Sequence, residues 1–552
     1  MTEILTVGVL ALLLIAAATV LGPRLRIESP LVLVAIGFAA SFLPLFHATE
    51  IEPELILEGV LPPLLYSSAV SMPAMNFRRE FGAISGLSVL LVIGTSLLLG
   101  VFFQYVLPSL GFAWGVALGA IISPTDAVAV SIIKQTPVSK RAVAILDGES
   151  LLNDASALVM LRTAIAATAA SFSVWSAAGT FLYSVVVAVI IGMVVGWLNL
   201  VVRKRVTDPT VNTVISFAVP FIASIPAGML GASGLVAAVV AGLITGYRAP
   251  RDLSPQNRLS DTQNWRTVEL VLEGAVFLMM GVQIREIWVS VAETPSGVTT
   301  PLLIAAAALA VTLLVRTAFV APLLAVLAAS VRRQAKLQPQ MLNMQEKMAT
   351  PEGKQELLQQ TKTGWLSRSE HQIEAFAQRV RQGLADIEYF RRMPLGWREG
   401  TVVVWAGMRG AVTVAAAQTL PADTPQRPVL VLIAFAVAVL SLLLQGGTIG
   451  LMLRLIMPKG EQAASNADDG LERARLGDLL RETAEAVGEP PPDTTGKGTL
   501  ATIHHRLAVL AHQRAALLDA RENGAFDADV LADALANLDA AHIAIAMRVE
   551  RG

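Results

Sequence analysis

Two short groups of polar and acidic residues interrupt long apolar segments of this sequence. The first group is Ser123-Pro124-Thr125-Asp126, and the second is the run from Asp147 to Asp154, which reads DGESLLND. An ionisable side chain at the centre of a membrane helix costs at least about 2.5–3.5 kcal/mol, so such residues usually mark a transport site. We therefore interpret the two groups as parts of one ion or proton site.

The side chains in these groups offer hard oxygen ligands. Thr125 and Asp126 stand on the first segment, and the second carries Ser150, Asn153 and Asp154. The last three occupy positions i, i+3 and i+4, which places them on one helix face. Oxygen ligands suit a partly dehydrated hard cation. These five residues are the predicted ion and proton site, in which an alkali ion is bound by Asp154, Asp126, Thr125 and Ser150.

Exchange of a cation for a proton needs a carboxylate for which both species compete. Burial disfavours the charged form of a carboxylate, which lets a proton and a metal ion displace one another on the same group. We predict this role for Asp154. Asp126 can share it, and two neighbouring acids of this kind titrate as a pair.

Glu149 lies in the same run and would repel Asp154 unless a cation neutralised it. An unpaired buried charge is costly, so an arginine at membrane depth is the expected partner. The two candidates are Arg316, in the segment ALAVTLLVRTAFVAPLL, and Arg409, in GMRGAV. We predict a structural ion pair between Glu149 and Arg316, and we place Asp147 in a vestibule near the cytoplasmic end of its helix.

The composition is that of a polytopic membrane protein. Of the 552 residues, 54% are hydrophobic and only 15% are charged, and the mean hydropathy is +0.60. The chain has no cysteine, which excludes disulfides, thiolate metal sites and thiol catalysis. A net charge of −1 gives no indication of a nucleic-acid partner.

Apolar windows of about 20 residues predict thirteen membrane spans, near 4–22, 30–47, 54–75, 82–107, 111–135, 139–170, 176–201, 210–228, 231–247, 264–287, 300–331, 397–419 and 428–456. The predicted membrane domain comprises residues 1–332 and 397–457. A polar cytoplasmic insert is predicted over 333–396, and a cytoplasmic helical tail over 458–552. Basic residues fall in alternate gaps, for example at 203–205. The positive-inside rule therefore predicts an external N-terminus and a cytoplasmic C-terminus.

The predicted fold class is all-α, with two inverted six-helix repeats joined by one linking helix, a plan found in many secondary transporters. The fifth span, with Pro124, then corresponds to the twelfth, which contains Gly407, Arg409 and Gly410. Proline removes a backbone donor and glycine weakens a helix, so both spans are predicted to be discontinuous. Interrupted helices at corresponding positions indicate a transport site.

Four motifs carry a family resemblance. The segments LDGESLLNDASALV and AIISPTDAVAV resemble the paired core motifs of the monovalent cation/proton antiporter family 1, the sodium/proton exchangers. The pair Asn153-Asp154 resembles the electroneutral branch, whereas electrogenic relatives carry Asp-Asp. GMRGAVTVAAA resembles the glycine-arginine-glycine motif of that family, and LPPLLY resembles its third-span signature. The resemblance covers the membrane domain, roughly residues 4–456.

The resemblance implies a bacterial-type antiporter that exchanges one sodium ion for one proton without net charge transfer, by alternating access. In such proteins the residue matching Asp154 carries the cation and the proton alternately, and those matching Thr125, Asp126 and Ser150 coordinate the ion. The family also implies a homodimer in the plasma membrane, a role in pH and sodium homeostasis, and no cofactor besides the transported ions. The choice among Na⁺, Li⁺ and K⁺ stays open.

One position departs from the family pattern. Many members follow the third-span signature with an acidic residue, whereas this chain has Ser67. A proton or cation role assigned to that acid would be missing here unless Glu58, earlier on the same span, replaces it. Ion preference or pH response can therefore differ from the family norm.

Two other classes fit part of the pattern. A monovalent cation channel also needs acids and broken helices, but channels usually present filter loops in repeated subunits. A cation-sensing membrane protein would need a signalling motif in the tail, and none is recognisable. An enzyme is not expected, because no nucleophile occurs with a base and an orienting group.

The polar parts of the chain are predicted to be helical. The insert is expected to form a helical hairpin, either solvated or regulatory. After Pro490-Pro491-Pro492, the tail shows two amphipathic helices around a glycine turn. Three histidines in this tail are expected to be solvated and not metal ligands: His504, His505 and His512.

Overall fold

The structure is a computed structural model that describes residues 2–25, 29–43, 54–126, 128–134, 136, 138–169, 174–292, 297–350, 370–456, 461–488 and 498–549. All regular elements in these ranges are helices, which confirms the predicted all-α class. We number the first ten α1 Thr2–Leu25, α2 Ser29–Ala40, α3 Leu55–Ser71, α4 Ala74–Val106, α5 Phe112–Ile122, α6 Val128–Lys134, α7 Lys140–Ala169, α8 Val174–Arg203, α9 Pro209–Met229 and α10 Gly234–Asp252. The remainder are α11 Pro255–Ala292, α12 Thr299–Ala349, α13 Glu370–Arg392, α14 Trp397–Trp405, α15 Ala411–Gln418, α16 Arg427–Ile456, α17 Glu461–Glu485, α18 Gly498–Asn523 and α19 Ala528–Val549.

Eight of the described helices are long and apolar enough to cross a membrane, and they are parts of α1, α4, α8, α9, α11, α12, α16 and α19. Three shorter apolar helices, α2, α3 and α5, add to this set. The chain is therefore a multi-pass membrane protein, whereas the number of thirteen spans stays a prediction. Helix α7 is absent from the set and contains the charged residues Asp147, Glu149, Asp154 and Arg162.

The chain divides into two compact units. The first comprises Met1–Val138, Ala142–Ala321 and Arg398–Pro458, and the second comprises Ser139–Arg141, Pro322–Trp397 and Lys459–Gly552. The predicted boundary between residues 332 and 333 lies inside a helix, because α12 continues to Ala349. This single helix contributes residues to both units.

Small residues bring α4 and α5 into close contact in the first unit. A Cβ on Gly115 would overlap the backbone of Gly100, and one on Gly119 would overlap the carbonyl of Ser96. Glycine at such positions lets two membrane helices approach closely. The same two helices contribute Leu99 and Leu118, both fully buried, to a hydrophobic core shared with α7, α12, α15 and α16. This packing holds α5 against α4.

Helices α8 to α11 and α3 pack around a second hydrophobic cluster that includes Tyr66 and Trp265. Helix α9 begins where Asp208 accepts hydrogen bonds from the N–H groups of Thr210 and Val211, at 2.7 and 3.1 Å, as an N-cap residue does. Arg203 at the end of α8 is fully buried and lies 3.0 Å from Asp261 of α11. From the sequence alone, Arg203 is predicted to be one of the basic residues in a cytoplasmic segment between two spans.

The second unit contains α13, α17, α18 and α19. Leu476, Leu517, Leu531 and Leu535 form its hydrophobic cluster, together with neighbouring apolar residues. Helices α18 and α19 correspond to the two amphipathic tail helices, with Gly524 at a φ of 69° between them. Residues 490–492, at which the sequence analysis placed a proline-rich break, lie outside the described residues. Part of α19 is apolar enough to span a membrane, but it directs Val530, Leu531 and Leu535 into this cluster.

Candidate functional site

The first interrupted helix is the pair α5 and α6. Helix α5 ends at Ile122, residues 123–126 are not helical, and α6 begins at Val128. Pro124 is buried within this break and has no N–H to donate. The N–H of Asp126 donates to the carbonyl of Met408, at 2.7 Å. A backbone group freed by the interruption is thus satisfied by a different part of the chain, as the membrane interior requires.

The second interrupted helix is the pair α14 and α15, and it lies directly against the first. Helix α14 ends at Trp405, and α15 begins at Ala411. Arg409 lies in this break, and its Nε donates to the carbonyl of Ile122 at 3.1 Å. A Cβ on Gly410 would overlap the carboxylate of Asp126. The two breaks therefore meet through backbone and side-chain contacts on both sides.

Helix α7 supplies the third side of the site. The Asn153 amide donates to Thr125 Oγ1 at 2.5 Å, and the Thr125 hydroxyl donates to Glu149 Oε1 at 3.3 Å. These bonds fix the direction of the Thr125 O–H group and leave one of its lone pairs available. Asp154 is only 8% exposed, and the negative charges of Asp154 and Asp126 repel one another. A cation between them would relieve that repulsion.

One buried acceptor beside Thr125 has no partner. Asn153 is 1% exposed, and its Oδ1 atom receives no hydrogen bond. A buried unsatisfied oxygen costs about 1–3 kcal/mol, and a cation or a water molecule would satisfy it. The oxygen ligands that the structure brings together are those of Thr125, Asp126, Asn153 and Asp154, a set suited to a hard cation.

Glu149 and Arg316 form a bidentate ion pair. Arg316 Nη1 donates to Glu149 Oε1 at 2.5 Å and Nη2 donates to Oε2 at 2.7 Å, while Nε donates to the carbonyl of Val403 at 2.9 Å. Both side chains are 1% exposed. A Cβ on Gly407 would overlap the guanidinium of Arg316. The pair joins α7 to α12, and the positive charge of Arg316 neutralises the Glu149 carboxylate.

Arg409, the other candidate partner of Glu149, instead binds carbonyl oxygens of the two breaks. Besides the carbonyl of Ile122, its guanidinium contacts the carbonyl of Gly407, and its own N–H donates to Ser441 Oγ at 2.9 Å. Carbonyl groups at the end of α5 carry partial negative charge. The positive charge of Arg409 therefore stabilises the carbonyl groups of Ile122 and Gly407 in the two breaks.

Some predicted residues have other contacts. The Ser150 hydroxyl donates to the carbonyl of Asp147 in its own helix, at 3.0 Å, and Asp147 forms an ion pair with Lys134 at 2.9 Å. Ser67 is buried on α3, and within the described residues no hydrogen bond joins it to the site. Glu58 lines a separate cavity of about 810 Å³ with Arg162.

Sequence reasoning missed Glu273 of α11. This residue lies in the apolar run LVLEGAVFLMMGV, and its negative charge repels that of Asp126. The signal was present, because a glutamate in a membrane span has the same cost as the acids that did attract attention.

Two interrupted helices that meet beside a buried aspartate define a class of protein, the secondary cation transporters. A comparison with protein families identifies the group within that class. Residues 9–349 and 383–455 match the model of the family described as "Sodium/hydrogen exchanger, transmembrane". The chain belongs to the sodium/hydrogen exchanger family.

Individual relatives agree with this assignment. An uncharacterized Na⁺/H⁺ exchanger of Mycobacterium bovis is 26% identical over 95% of this chain and 93% of its own length. A sodium, potassium, lithium and rubidium/H⁺ antiporter of Bacillus subtilis is 30% identical over 47% of this chain and 40% of its own length. The sodium proton antiporter MjNhaP1 of Methanocaldococcus jannaschii has a TM-score of 0.57 at 15% identity, covers 82% of this chain and 98% of its own, and shares the fold.

Proposed function

We propose that this protein exchanges a monovalent cation, foremost Na⁺, for H⁺ across the plasma membrane by alternating access. The observation that carries the proposal is the position of Asp154, buried on α7 with its charge repelled by that of Asp126 at the break after α5. A carboxylate in this environment gains from binding either a cation or a proton, and it cannot hold both. Competition for one such group couples the two fluxes.

The surrounding charges support exchange of one cation for one proton. Glu149 is neutralised by Arg316 through two hydrogen bonds, and Asn153 is uncharged. The exchangeable charge is therefore that of Asp154, with Asp126 as the neighbouring ligand. A cation that replaces one proton on this group leaves the net charge of the site unchanged.

We infer further that the N-terminus is external, that the C-terminus is cytoplasmic and that the protein works as a homodimer. The alternation of basic gaps along the sequence supports the orientation. Membership of the family supports the homodimer and the role in pH and sodium homeostasis. Li⁺ and K⁺ are the alternatives to Na⁺ as the transported cation.

The test is cation-triggered proton movement in everted membrane vesicles, with Na⁺, Li⁺ and K⁺ compared across pH. Asp154→Asn keeps the size of the side chain and removes the exchangeable charge, so it should abolish exchange. Asp147→Asn is the matched control, since it removes an acid of the same helix that pairs with Lys134, and it should retain exchange. Parental exchange rates in Asp154→Asn would refute the carrier role.

The channel alternative is less well supported than the antiporter, because the family match is to exchangers. The same vesicles separate the two. An antiporter generates a proton gradient at the expense of a cation gradient, whereas a channel dissipates a cation gradient without proton movement. Single-channel currents from reconstituted protein would favour the channel.

A further inference from the structure

Glu273 is a charged residue in the middle of a membrane helix for which the exchange reaction gives no role. It belongs to α11, part of which is long and apolar enough to cross a membrane. Its side chain is exposed in the described protein. The next residue, Gly274, lies against Ile15 of α1 so closely that no Cβ would fit. Helix α11 is therefore packed against α1 next to Glu273, and we call the space in front of the exposed Glu273 side chain the recess.

A contact between α11 and α15 shows how far along the helix axis Glu273 lies relative to Asp126. The Gln283 and Gln418 side chains exchange hydrogen bonds of 2.5 and 3.4 Å. At 1.5 Å per residue, Glu273 lies about 15 Å along α11 from Gln283, and Gly410 lies about 12 Å along the neighbouring segment from Gln418. Since Gly410 contacts the carboxylate of Asp126, helices that run side by side place Glu273 at the level of Asp126.

Electrostatics agrees with this placement. The charge of Glu273 is repelled by those of Asp126 and of Glu269, one turn away on the same helix. Glu273 and Asp126 thus present negative charge to the same space from two different helices.

We propose that Glu273 attracts the transported cation to the recess in front of Asp126 and so sets the apparent cation affinity of the exchanger. The proposal rests on the exchange function and adds to it a residue on a helix outside the two interrupted ones. A cleft lined by one sign of charge raises the local concentration of counter-ions about 10- to 10³-fold.

The kinetic signature follows from where the charge acts. A residue that only concentrates the cation changes the apparent KM and leaves the rate at saturating cation unchanged, because the bound state does not depend on it. Its effect weakens with ionic strength, since salt screens charges that are accessible to solvent. A residue needed only for folding would instead lower the yield and the maximal rate together.

The experiment measures Na⁺-driven proton movement in proteoliposomes at fixed pH with Glu273→Gln and Glu273→Asp. Glu273→Gln should raise the apparent KM for Na⁺ about fivefold to tenfold, with the maximal rate within about twofold of the parent. Glu273→Asp keeps the charge and should restore most of the affinity. Glu286→Gln removes an exposed acid from the same helix and should leave KM unchanged.

Added choline chloride completes the test. The ratio of KM between Glu273→Gln and the parent should shrink toward one as ionic strength rises. An unchanged KM in Glu273→Gln, a lower maximal rate at unchanged KM, or a KM ratio insensitive to salt would overturn the proposal. Failure of the exchange function itself is distinguishable, because the parent protein would then show no Na⁺-driven proton movement, whereas failure of this proposal leaves the exchange of the parent intact.

Discussion

Gly410 faces the carboxylate of Asp126 with no space for a side chain between them. The two residues belong to different interrupted helices and are far apart in the sequence. A hydrogen bond from the N–H of Asp126 to the carbonyl of Met408, at 2.7 Å, holds the same two segments together. The position of an acidic group in the site thus depends on a glycine of the other break.

Gly410→Ala is therefore expected to displace the Asp126 carboxylate and to impair exchange. Inserting a methyl group into a packed site typically costs about 1–3 kcal/mol, so the melting temperature of the purified protein should fall as well. Gly447→Ala is the control, because no atom lies within 4 Å of the Cβ that it would add. Normal exchange and stability in Gly410→Ala would contradict the contact.

Glu149→Gln should mainly reduce the amount of folded protein and its thermal stability. Removing one partner of a buried ion pair leaves the other charge uncompensated, at a cost of about 3–5 kcal/mol. The double variant Glu149→Gln with Arg316→Met removes both charges and should recover part of the stability. Thermal unfolding followed by size-exclusion chromatography measures both effects.

The opposite outcome for this pair is also informative. If Glu149→Gln keeps its yield and melting temperature but loses exchange, Glu149 belongs among the groups that bind the ion. The ion pair with Arg316 would then be part of the transport chemistry.

Thr125→Val should weaken cation binding and lower stability, whereas Thr125→Ser should resemble the parent. Valine keeps the shape but removes the hydroxyl that accepts from Asn153 and donates to Glu149. An amide left without its acceptor costs about 1–3 kcal/mol. The comparison requires the apparent KM for Na⁺ and the melting temperature of each variant. Equal values for the two variants would show that the hydroxyl is dispensable.

Glu472 gives the second unit a pH-dependent stability. Burial raises the pKa of this residue, and the hydrogen bond that its carboxylate accepts from the N–H of Asp527 partly offsets the shift. A carboxyl group whose pKa is higher in the folded state binds more protons there than in the unfolded state. Stability is then greater below the unfolded pKa, and it falls as pH rises through the window up to the folded pKa.

Amide hydrogen exchange in the full-length protein tests this dependence. After correction for intrinsic exchange rates, protection of α17 should be greater near pH 5 than near pH 7.5. Glu472→Gln removes the ionisation and retains an acceptor for Asp527, so it should flatten the profile. Glu482→Gln changes an exposed acid of the same helix and should keep the parental profile. An unchanged profile in Glu472→Gln would exclude this residue as the cause.

The sequence indicated the main elements of the fold because the membrane imposes simple rules. Long apolar runs predicted spans, and the breaks at Pro124 and at Gly407 to Gly410 predicted discontinuous helices. Acids inside apolar runs are conspicuous because of their cost, and together with the polar residues beside them they predict a site of Thr125, Asp126, Ser150, Asn153 and Asp154. Their roles in transport stay predictions.

Other features depend on distances that spacing along the chain does not encode. Arg203 was counted among the basic residues of a cytoplasmic gap, but its partner Asp261 allows it to be fully buried. Ser150 shares a helix face with Asp154, yet its hydroxyl bonds to its own backbone. Glu273 carries the same sequence signal as the other acids in apolar runs, but only the fold brings its charge within range of that of Asp126.

The contacts between the breaks also constrain how the molecule can move. Asp126 is fastened by its main chain to Met408, and Arg409 is fastened to Ile122. Neither link involves the transported ion, so we expect both to persist whether the site is loaded or empty. We therefore expect any displacement of one interrupted helix to carry the other with it. The bound ion then moves together with both helices as one rigid body.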